Sequence, residues 1–137
     1  MPAKHVSTRR SLSHLSRPIG CGIDVVELTR FKRALTSGGH AFRRRIFTSR
    51  EEAYANARPR TTLLHLAGRF AAKEAVIKAI AQLHPHRVLA MNCIEIHNDR
   101  WGRPHVILHD QKFTRFTVHI SLSHVKSVAV ATAIAVG

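Results

Sequence analysis

Three charged side chains lie in apolar or alanine-rich segments, where a charged residue points to a specific role. Asp24 lies between Ile23 and Val25 in an apolar, strand-like run, where an isolated carboxylate is costly to bury. It either caps neighbouring backbone at the end of a strand or binds a cation. Glu74 and Lys78 are four residues apart in an alanine-rich segment, so on a helix they share one face. They form either a solvated ion pair or part of a site.

Two further side chains suit contact with an anion. Arg69 precedes Glu74 by five residues, and we expect it to reach the same end of the site. His124 ends the segment S-L-S-H, where a histidine at the mouth of a loop can donate a ring N–H to an anion. Ser–His nucleophilic catalysis is not expected, because the sequence has no G-x-S-x-G turn. The other ten histidines lack the spacing of metal ligands and are interpreted as surface residues.

The charge of the chain is its abnormal global property. Its 137 residues include 22 Lys and Arg against 8 Asp and Glu, a formal net charge of +14. Such a surface attracts polyanions: nucleic acid, phosphorylated small molecules, anionic lipid or an acidic protein. The apolar fraction of 45% excludes wholesale disorder, and no apolar run approaches the ~20 residues of a membrane span. Cys21 and Cys93 lie in apolar stretches, so we expect buried free thiols and a cytoplasmic protein.

The hydrophobic patterns predict an α+β fold, with an antiparallel sheet packed against a long central helix in a single domain. That helix is expected over about residues 61–81, where apolar residues recur at three-four spacing. A shorter helix begins at a capping box, made by Thr48 with Glu51 or by Ser49 with Glu52. One strand-like run lies in the first half of the chain and four lie in the second: 19–28, 93–97, 105–109, 117–122 and 128–135.

The remaining boundaries divide the chain into an extension and a domain. Residues 1–18 contain basic residues and serines but no acid, which predicts a basic, disordered extension, with a transit peptide as the alternative. Residues 19–137 form the domain. Near its start, Thr29 is expected to cap a helix that ends at Ser37-Gly38-Gly39. A run of four short strands leaves sheet edges exposed, which favours oligomerisation.

Five segments, in this order, resemble the holo-[acyl-carrier-protein] synthase family, the small type of 4′-phosphopantetheinyl transferase. They are G-I-D-V-V-E-L, R-I-F-T-S-R-E-E, L-A-G-R-F-A-A-K-E-A-V-I-K-A, I-x-I-H-N-D-x-x-G-x-P-x-V and H-I-S-L-S-H. Together they cover about residues 19–136. The resemblance implies the family's fold and its reaction. In that reaction the 4′-phosphopantetheine arm of coenzyme A is transferred to a serine of apo-acyl carrier protein, with release of adenosine 3′,5′-bisphosphate.

The resemblance also implies roles for the singled-out residues. Asp24 and Glu74 would hold a Mg²⁺ that bridges the pyrophosphate, and Lys78 would bind the phosphate under attack, so Glu74 and Lys78 are the expected catalytic residues. Arg69 and His124 would contact the phosphates of the nucleotide, His124 the 3′-phosphate. Mg²⁺ is commonly held by one or two carboxylates plus substrate phosphates, which fits this pair. The proton of the attacking serine goes either to Glu74 or to a metal-bound water. The family is typically a homotrimer with active sites between subunits.

An acidic acyl carrier protein is the partner that the resemblance implies, and it explains the basic charge. Arg30 is the expected docking residue, and further basic residues reinforce it: Lys32, Arg33, Arg43, Arg44 and Arg45. A glycine-rich turn expected after the central helix is replaced by residues 81–88, which leaves nucleotide contacts there open. Two alternatives are a basic nucleic-acid-binding domain and a non-catalytic relative that only docks carrier proteins. The leading hypothesis requires neither a membrane nor a nucleic acid.

Overall fold

The computed structural model describes residues 16–137. The extension expected for residues 1–18 therefore falls, apart from its last three residues, outside the described part of the chain. The predicted α+β fold is confirmed, with three helices and two antiparallel sheets. In chain order the elements are β1 (Ile19–Glu27), α1 (Leu28–Ile46), α2 (Ser49–Asn56), α3 (Thr62–Leu83), a 3₁₀ turn (Met91–Cys93), β2 (Ile94–Asn98), β3 (Pro104–Leu108), β4 (Thr117–His124) and β5 (Val128–Val136).

The strands do not form the single second-half sheet that the sequence suggested. β1 joins the second-half strands in a three-stranded antiparallel sheet of order β1-β5-β4, while β2 and β3 form a separate hairpin. Ile19 pairs with Val136 and Asp24 with Ala131, so the opening strand pairs with a strand more than a hundred residues away. The central strand β5 presents buried alanines on one face. Periodicity identifies such strands, but it does not say which ones pair.

Helix α3 lies against this sheet and supplies the core. The side chains on its buried face are unusually small: Ala71, Ala72, Ala75 and Ala79 are all fully buried. The facing strand β1 has a glycine at this contact, Gly22, and a Cβ there would lie only 2.0 Å from the carbonyl oxygen of Ala75. Glycine there lets β1 approach the backbone of α3, which places the side chain of Asp24 beside the helix.

Helix α1 is bent where the sequence predicted an interruption. Gly39 has φ 58° and ψ −153°, a conformation that favours glycine, and it separates a first helical segment from a basic second one. The expected Thr29 cap is wrong, since the helix begins at Leu28 after Glu27, and no side chain caps it. Of the two possible capping boxes, Thr48 with Glu51 is the one formed, and it opens α2.

The prediction of free thiols is confirmed for both cysteines, but the prediction that both are buried is wrong. Both thiols are free, but Cys21 is exposed and Cys93 is half-buried. Cys21 alternates with the buried residues of β1 and so points to the outer face of the sheet, where Ile23 and Val25 are also exposed. Within residues 16–137, every helix is too short or too polar to cross a bilayer.

Candidate active site

Asp24 and Glu74, fifty residues apart in sequence, line one cavity of about 430 Å³. Asp24 comes from β1 and Glu74 from the flank of α3, and both side chains are partly buried. The floor is apolar, because α1 and α3 contribute aromatic rings: Phe31, Phe42 and Phe70. Arg30 lines the same cavity at the start of α1. The structure thus brings together the two carboxylates that the sequence singled out.

Lys78 joins this pair one helical turn beyond Glu74. Its Nζ atom donates to Asp24 Oδ1 at 3.0 Å and to the carbonyl oxygen of Ile23 at 2.9 Å. The side chain of Lys78 is 51% exposed and that of Asp24 is 18% exposed, so a ligand can reach the pair. An ammonium group has three N–H donors, and these two contacts leave a third for a substrate.

The carboxylates of this cavity influence each other electrostatically. Partial burial raises the pKa of Glu74, the negative charge of Asp24 raises it further, and the ammonium of Lys78 partly offsets the rise. Two like charges that share a desolvated wall repel each other. A divalent cation or a proton placed between them would relieve that repulsion.

A second cavity, on another flank of α3, has the opposite charge. Tyr54 lines this cavity, with the guanidinium carbon of Arg58 3.6 Å and that of Arg69 4.2 Å from the centroid of its ring. His65 meets the same ring edge-on, with centroids 5.3 Å apart. His124 lies on the wall contributed by the end of β4. We call this group, Tyr54 with Arg58, Arg69, His65 and His124, the tyrosine cluster.

Arg69 is the most buried member of the tyrosine cluster, with 4% exposure. Its Nη2 donates to Asn98 Oδ1 at 2.8 Å, across to the β2–β3 hairpin. Its Nε is buried and has no hydrogen-bond partner. Burial is the main reason why the pKa of Arg69 is lowered, and the charge of Glu51 partly restores it. The residue therefore holds an unsatisfied donor at a cavity whose described lining contains no carboxylate.

Arg69 and Glu74 do not share a cavity within one chain. Five residues of helix correspond to a rotation of about 140°, so the two side chains leave α3 in different directions. Arg69 faces the tyrosine cluster, and Glu74 faces Asp24. The single chain thus presents two half-sites, one with carboxylates and one with cations.

The sequence interpretation missed the most buried charge in the described residues. Lys73 precedes Glu74 and has no exposed surface, and its Nζ donates to Glu51 Oε2 at 2.6 Å. It also donates to the carbonyl oxygens of Ile46 and Met91. Glu51 in turn accepts from the backbone N–H groups of Thr48 and Ile96. Fixed by this network, α3 keeps the rotation that presents Glu74 to its cavity.

Two other site residues were missed for different reasons. Tyr54 is the sole tyrosine of the chain, and it follows the capping box by one helical turn, a spacing that placed it on α2 without indicating a partner. His65 was grouped with the surface histidines, yet it is half-buried in the wall of the cationic cavity. Only the packing of α2 against α3 brings them together.

The basic residues of α1, apart from Arg30, lie outside both cavities. Arg30, Lys32 and Arg33 are exposed on its first segment, and Arg44 and Arg45 on its second. Arg43 is half-buried and forms a 3.6 Å ion pair with Glu52. Since Arg30 also lines the Asp24–Glu74 cavity, this basic surface is continuous with the carboxylate half-site.

Comparison with known sequences gives a consistent family. A family model described as the 4′-phosphopantetheinyl transferase superfamily matches residues 20–133. A holo-[acyl-carrier-protein] synthase of Chlorobaculum parvum is 38% identical over 113 residues, 82% of this chain and 94% of the relative. A holo-[acyl-carrier-protein] synthase of Clostridium acetobutylicum is 36% identical over 121 residues, 84% of this chain and 94% of the relative.

Solved structures with the same fold point the same way. The chain superimposes on an ACPS–CoA complex of Chronobacterium ammoniagenes with a TM-score of 0.76 and 28% identity, over 87% of this chain and 97% of that one. It also superimposes on a holo-(acyl-carrier-protein) synthase of Bacillus anthracis, in complex with CoA (3′,5′-ADP), with a TM-score of 0.69 and 33% identity. That match covers 86% of this chain and 96% of the other.

Proposed function

Because the chain belongs to the 4′-phosphopantetheinyl transferase superfamily, we propose that it transfers the 4′-phosphopantetheine group from coenzyme A to a serine of an apo-acyl carrier protein. The products are holo-acyl carrier protein and adenosine 3′,5′-bisphosphate. One observation of this structure carries the proposal. Asp24 from β1 and Glu74 from α3 converge at one accessible cavity, where Lys78 of α3 contacts Asp24, beside a basic surface suited to an acidic partner.

The reaction needs no nucleophile from this chain. The serine oxygen of the carrier forms the new bond to the phosphorus that bears pantetheine, and the bond from that phosphorus to the oxygen of the nucleotide breaks. The proton of the serine hydroxyl passes to Glu74 or to water. Lys78 is placed to donate its third N–H to an oxygen of this phosphate and to stabilise the charge that builds there. Its contacts with Asp24 and Ile23 hold the ammonium in position before the substrate arrives, so positioning supplies part of the rate.

Asp24 and Glu74 would hold a Mg²⁺ in this cavity. When bound, the ion would neutralise the charge of the pyrophosphate. The fit rests on the carboxylates themselves: burial first and the charge of Asp24 second raise the pKa of Glu74, and a divalent cation would relieve the repulsion between the two carboxylates. Among residues 16–137 no group of three or more His, Cys, Asp or Glu is placed to hold a metal. The remaining ligands would therefore be water and substrate phosphate, as is common for Mg²⁺.

The tyrosine cluster would take the nucleotide. Coenzyme A carries a 3′-phosphate beside its pyrophosphate, and the cavity offers Arg69 and His124 with no carboxylate among its described lining residues. Arg69 is already buried and held by Asn98, so it binds an anion without first being ordered, while the exposed His124 is accessible to the ligand. Arg69 and His124 are therefore the nucleotide-binding residues in this proposal.

A second copy of this chain would complete the site. The carboxylate and cationic half-sites lie on different flanks of α3, so one subunit can supply one half and its neighbour the other. The outer face of the three-stranded sheet is apolar for an exposed surface, with Ile19 67%, Ile23 57% and Ile134 48% exposed. Exposed apolar patches of this kind mark protein interfaces. We assign this face to the contact within a homotrimer.

The acidic carrier protein would dock on α1. Arg30 connects the exposed basic residues of α1 to the carboxylate cavity, so a carrier bound there would present its serine near Lys78. Opposite charge steers such an encounter and is screened by salt. An Arg30→Ala variant should therefore raise KM for the carrier while kcat is retained, and exposed Arg87 provides the matched control. The two free thiols suit the reducing cytoplasm, the compartment that we propose.

Mass spectrometry of apo-acyl carrier protein incubated with coenzyme A, Mg²⁺ and this chain tests the activity directly. The carrier should gain the mass of phosphopantetheine, and EDTA should abolish the gain. Asp24→Asn and Glu74→Gln should each lower turnover by about a hundredfold or more, whereas Asp110→Asn, outside both cavities, should not. Near-normal turnover by either cavity variant would refute the metal assignment, and no mass gain with the wild type would refute the activity.

Mixing two inactive variants tests the shared site. Glu74→Gln keeps the cationic half-site, and Arg69→Ala keeps the carboxylate half-site. If each site is built from two neighbouring subunits, randomly mixed trimers should recover up to about a quarter of wild-type activity. No recovery after subunit exchange, or a monomer by light scattering, would contradict the trimer.

A further inference from the structure

The tyrosine cluster contains a histidine for which the proposed reaction has so far no role. His65 is half-buried on the first turn of α3 and lines the cavity together with His124. Its ring stands edge-on to Tyr54, at an interplanar angle of 89°. This contact fixes the ring in a wall that also presents Arg69.

The surroundings of His65 form a built anion site. The charged and titratable groups that face it are Arg58 beyond the end of α2, Tyr54 on α2, Arg69 on α3 and His124 on β4. No carboxylate lies among the described residues that line the cavity. Arg69 lines the same cavity, and its buried Nε has no hydrogen-bond partner. Oriented hydrogen-bond donors thus outnumber acceptors in a cavity that is partly shielded from water, and an anion would supply the missing acceptors.

The cavity without a ligand disfavours the charged form of His65. Burial lowers the pKa of the imidazole, and the positive charges of Arg69, Arg58 and His124 lower it further. An anion in the cavity would offset those charges and favour the protonated ring. Binding of the anion and uptake of a proton by His65 are then linked, and each strengthens the other.

We propose that His65 is a specificity-determining residue of the nucleotide cavity, which binds the dianionic phosphate monoester of the substrate as an imidazolium and takes up its proton on binding. This inference rests on the proposed function, since coenzyme A is the ligand that carries such a monoester. A pyrophosphate diester bears one charge per phosphorus and gains less from the imidazolium. His65 thus adds selectivity for the 3′-phosphorylated form and tightens its binding as the pH falls toward neutrality.

Calorimetric titration of the full chain with coenzyme A, in buffers of different ionisation enthalpy, counts the protons taken up. Between pH 8 and pH 7, where the phosphate monoester stays largely dianionic, affinity should rise by up to about tenfold for one linked proton. 3′-Dephospho-coenzyme A, which lacks the monoester, should show little uptake. His65→Gln should bind coenzyme A more weakly at pH 7 and take up fewer protons, whereas His40→Gln, at an exposed position outside both cavities, should match the wild type.

The outcomes separate this inference from the proposed function. If folded His65→Gln binds coenzyme A with the proton uptake and affinity of the wild type, His65 is not the group and the inference is overturned, while the nucleotide cavity stands. If the wild type binds no coenzyme A at any pH, the proposed function and the inference fall together. Should His65→Gln not fold, His65→Asn and the imidazole NMR signals of the wild type report the same titration. A His65 signal that does not move toward the protonated form on binding would also overturn the inference.

Discussion

Helix α3 carries two lysine–carboxylate pairs that use the same chemistry in different surroundings. Lys73 contacts Glu51 at 2.6 Å with neither side chain exposed, while Lys78 contacts Asp24 at 3.0 Å with both accessible to solvent. Each lysine also donates to backbone carbonyl oxygens. Through its hydrogen bonds the first pair joins α1, α2, α3, the 3₁₀ turn and β2, whereas in the second pair Asp24 lines a cavity.

The difference shows how burial decides what an ion pair does. A buried pair is strongly destabilising to break, because the remaining charge stays desolvated without its partner. An exposed pair contributes little to stability, and a ligand can replace one of its contacts at small cost. Lys73 is accordingly a structural residue that orients Glu74, and Lys78 is a residue available to substrate.

The largest expected effect is on the buried pair. Lys73→Met should lower the free energy of unfolding by about 3–5 kcal/mol, since Glu51 would remain buried without its cation. Lys78→Met should change it by less than about 1 kcal/mol. Urea denaturation of both variants measures the two values side by side. Equal losses would remove the distinction between the pairs.

The next largest effect is on turnover, which we expect to depend on Lys78. Lys78→Met should lower turnover by about 10²–10³-fold, because in the proposed mechanism the phosphate under attack loses its donor. Its stability should stay close to that of the wild type, which thermal melting of the same preparation establishes. Lys78→Arg keeps the charge but alters the donor geometry, so it should recover only part of the rate. Full activity in Lys78→Met would identify the Asp24 pair as a surface contact without function.

The smallest effect concerns the strand that positions Asp24. Gly22→Ala would place a Cβ 2.0 Å from the carbonyl oxygen of Ala75, so β1 must shift away from α3. We expect a loss of about 1–3 kcal/mol from this overpacking. Gly68→Ala, whose nearest neighbour would be Leu122 at 3.4 Å, should be neutral or stabilising in the same denaturation assay. A stable Gly22→Ala variant would mean that β1 tolerates displacement.

The local parts of this structure were readable from the sequence. The three-four spacing identified α3, and Gly39 marked the bend of α1. The start of α2 was predicted from two possible capping boxes, of which Thr48 with Glu51 is formed. Each of these features depends on residues within a few positions of one another. The pairing of β1 with β5 does not, and it was missed because alternating patterns carry no partner information.

The positions of the charged residues were likewise predicted only in part. The convergence of Asp24 and Glu74 was anticipated through a resemblance over the whole domain, whereas helical spacing alone gave Glu74 and Lys78 a common face. The burial of Lys73 was missed, because its acceptors come from three other parts of the chain and a lysine on a helix is ordinarily solvated. Arg69 was placed near Glu74, although a rotation of about 140° separates them.

The order β1-β5-β4 has a consequence for how the chain folds. Among the described strands, β1 pairs with β5 alone, so its backbone stays unmatched until a segment over a hundred residues away arrives. Long sequence separation between contacts slows folding, and transiently open strands rich in isoleucine and valine invite aggregation. Refolding yield should therefore fall steeply as protein concentration rises, and dilute, cool conditions should favour recovery.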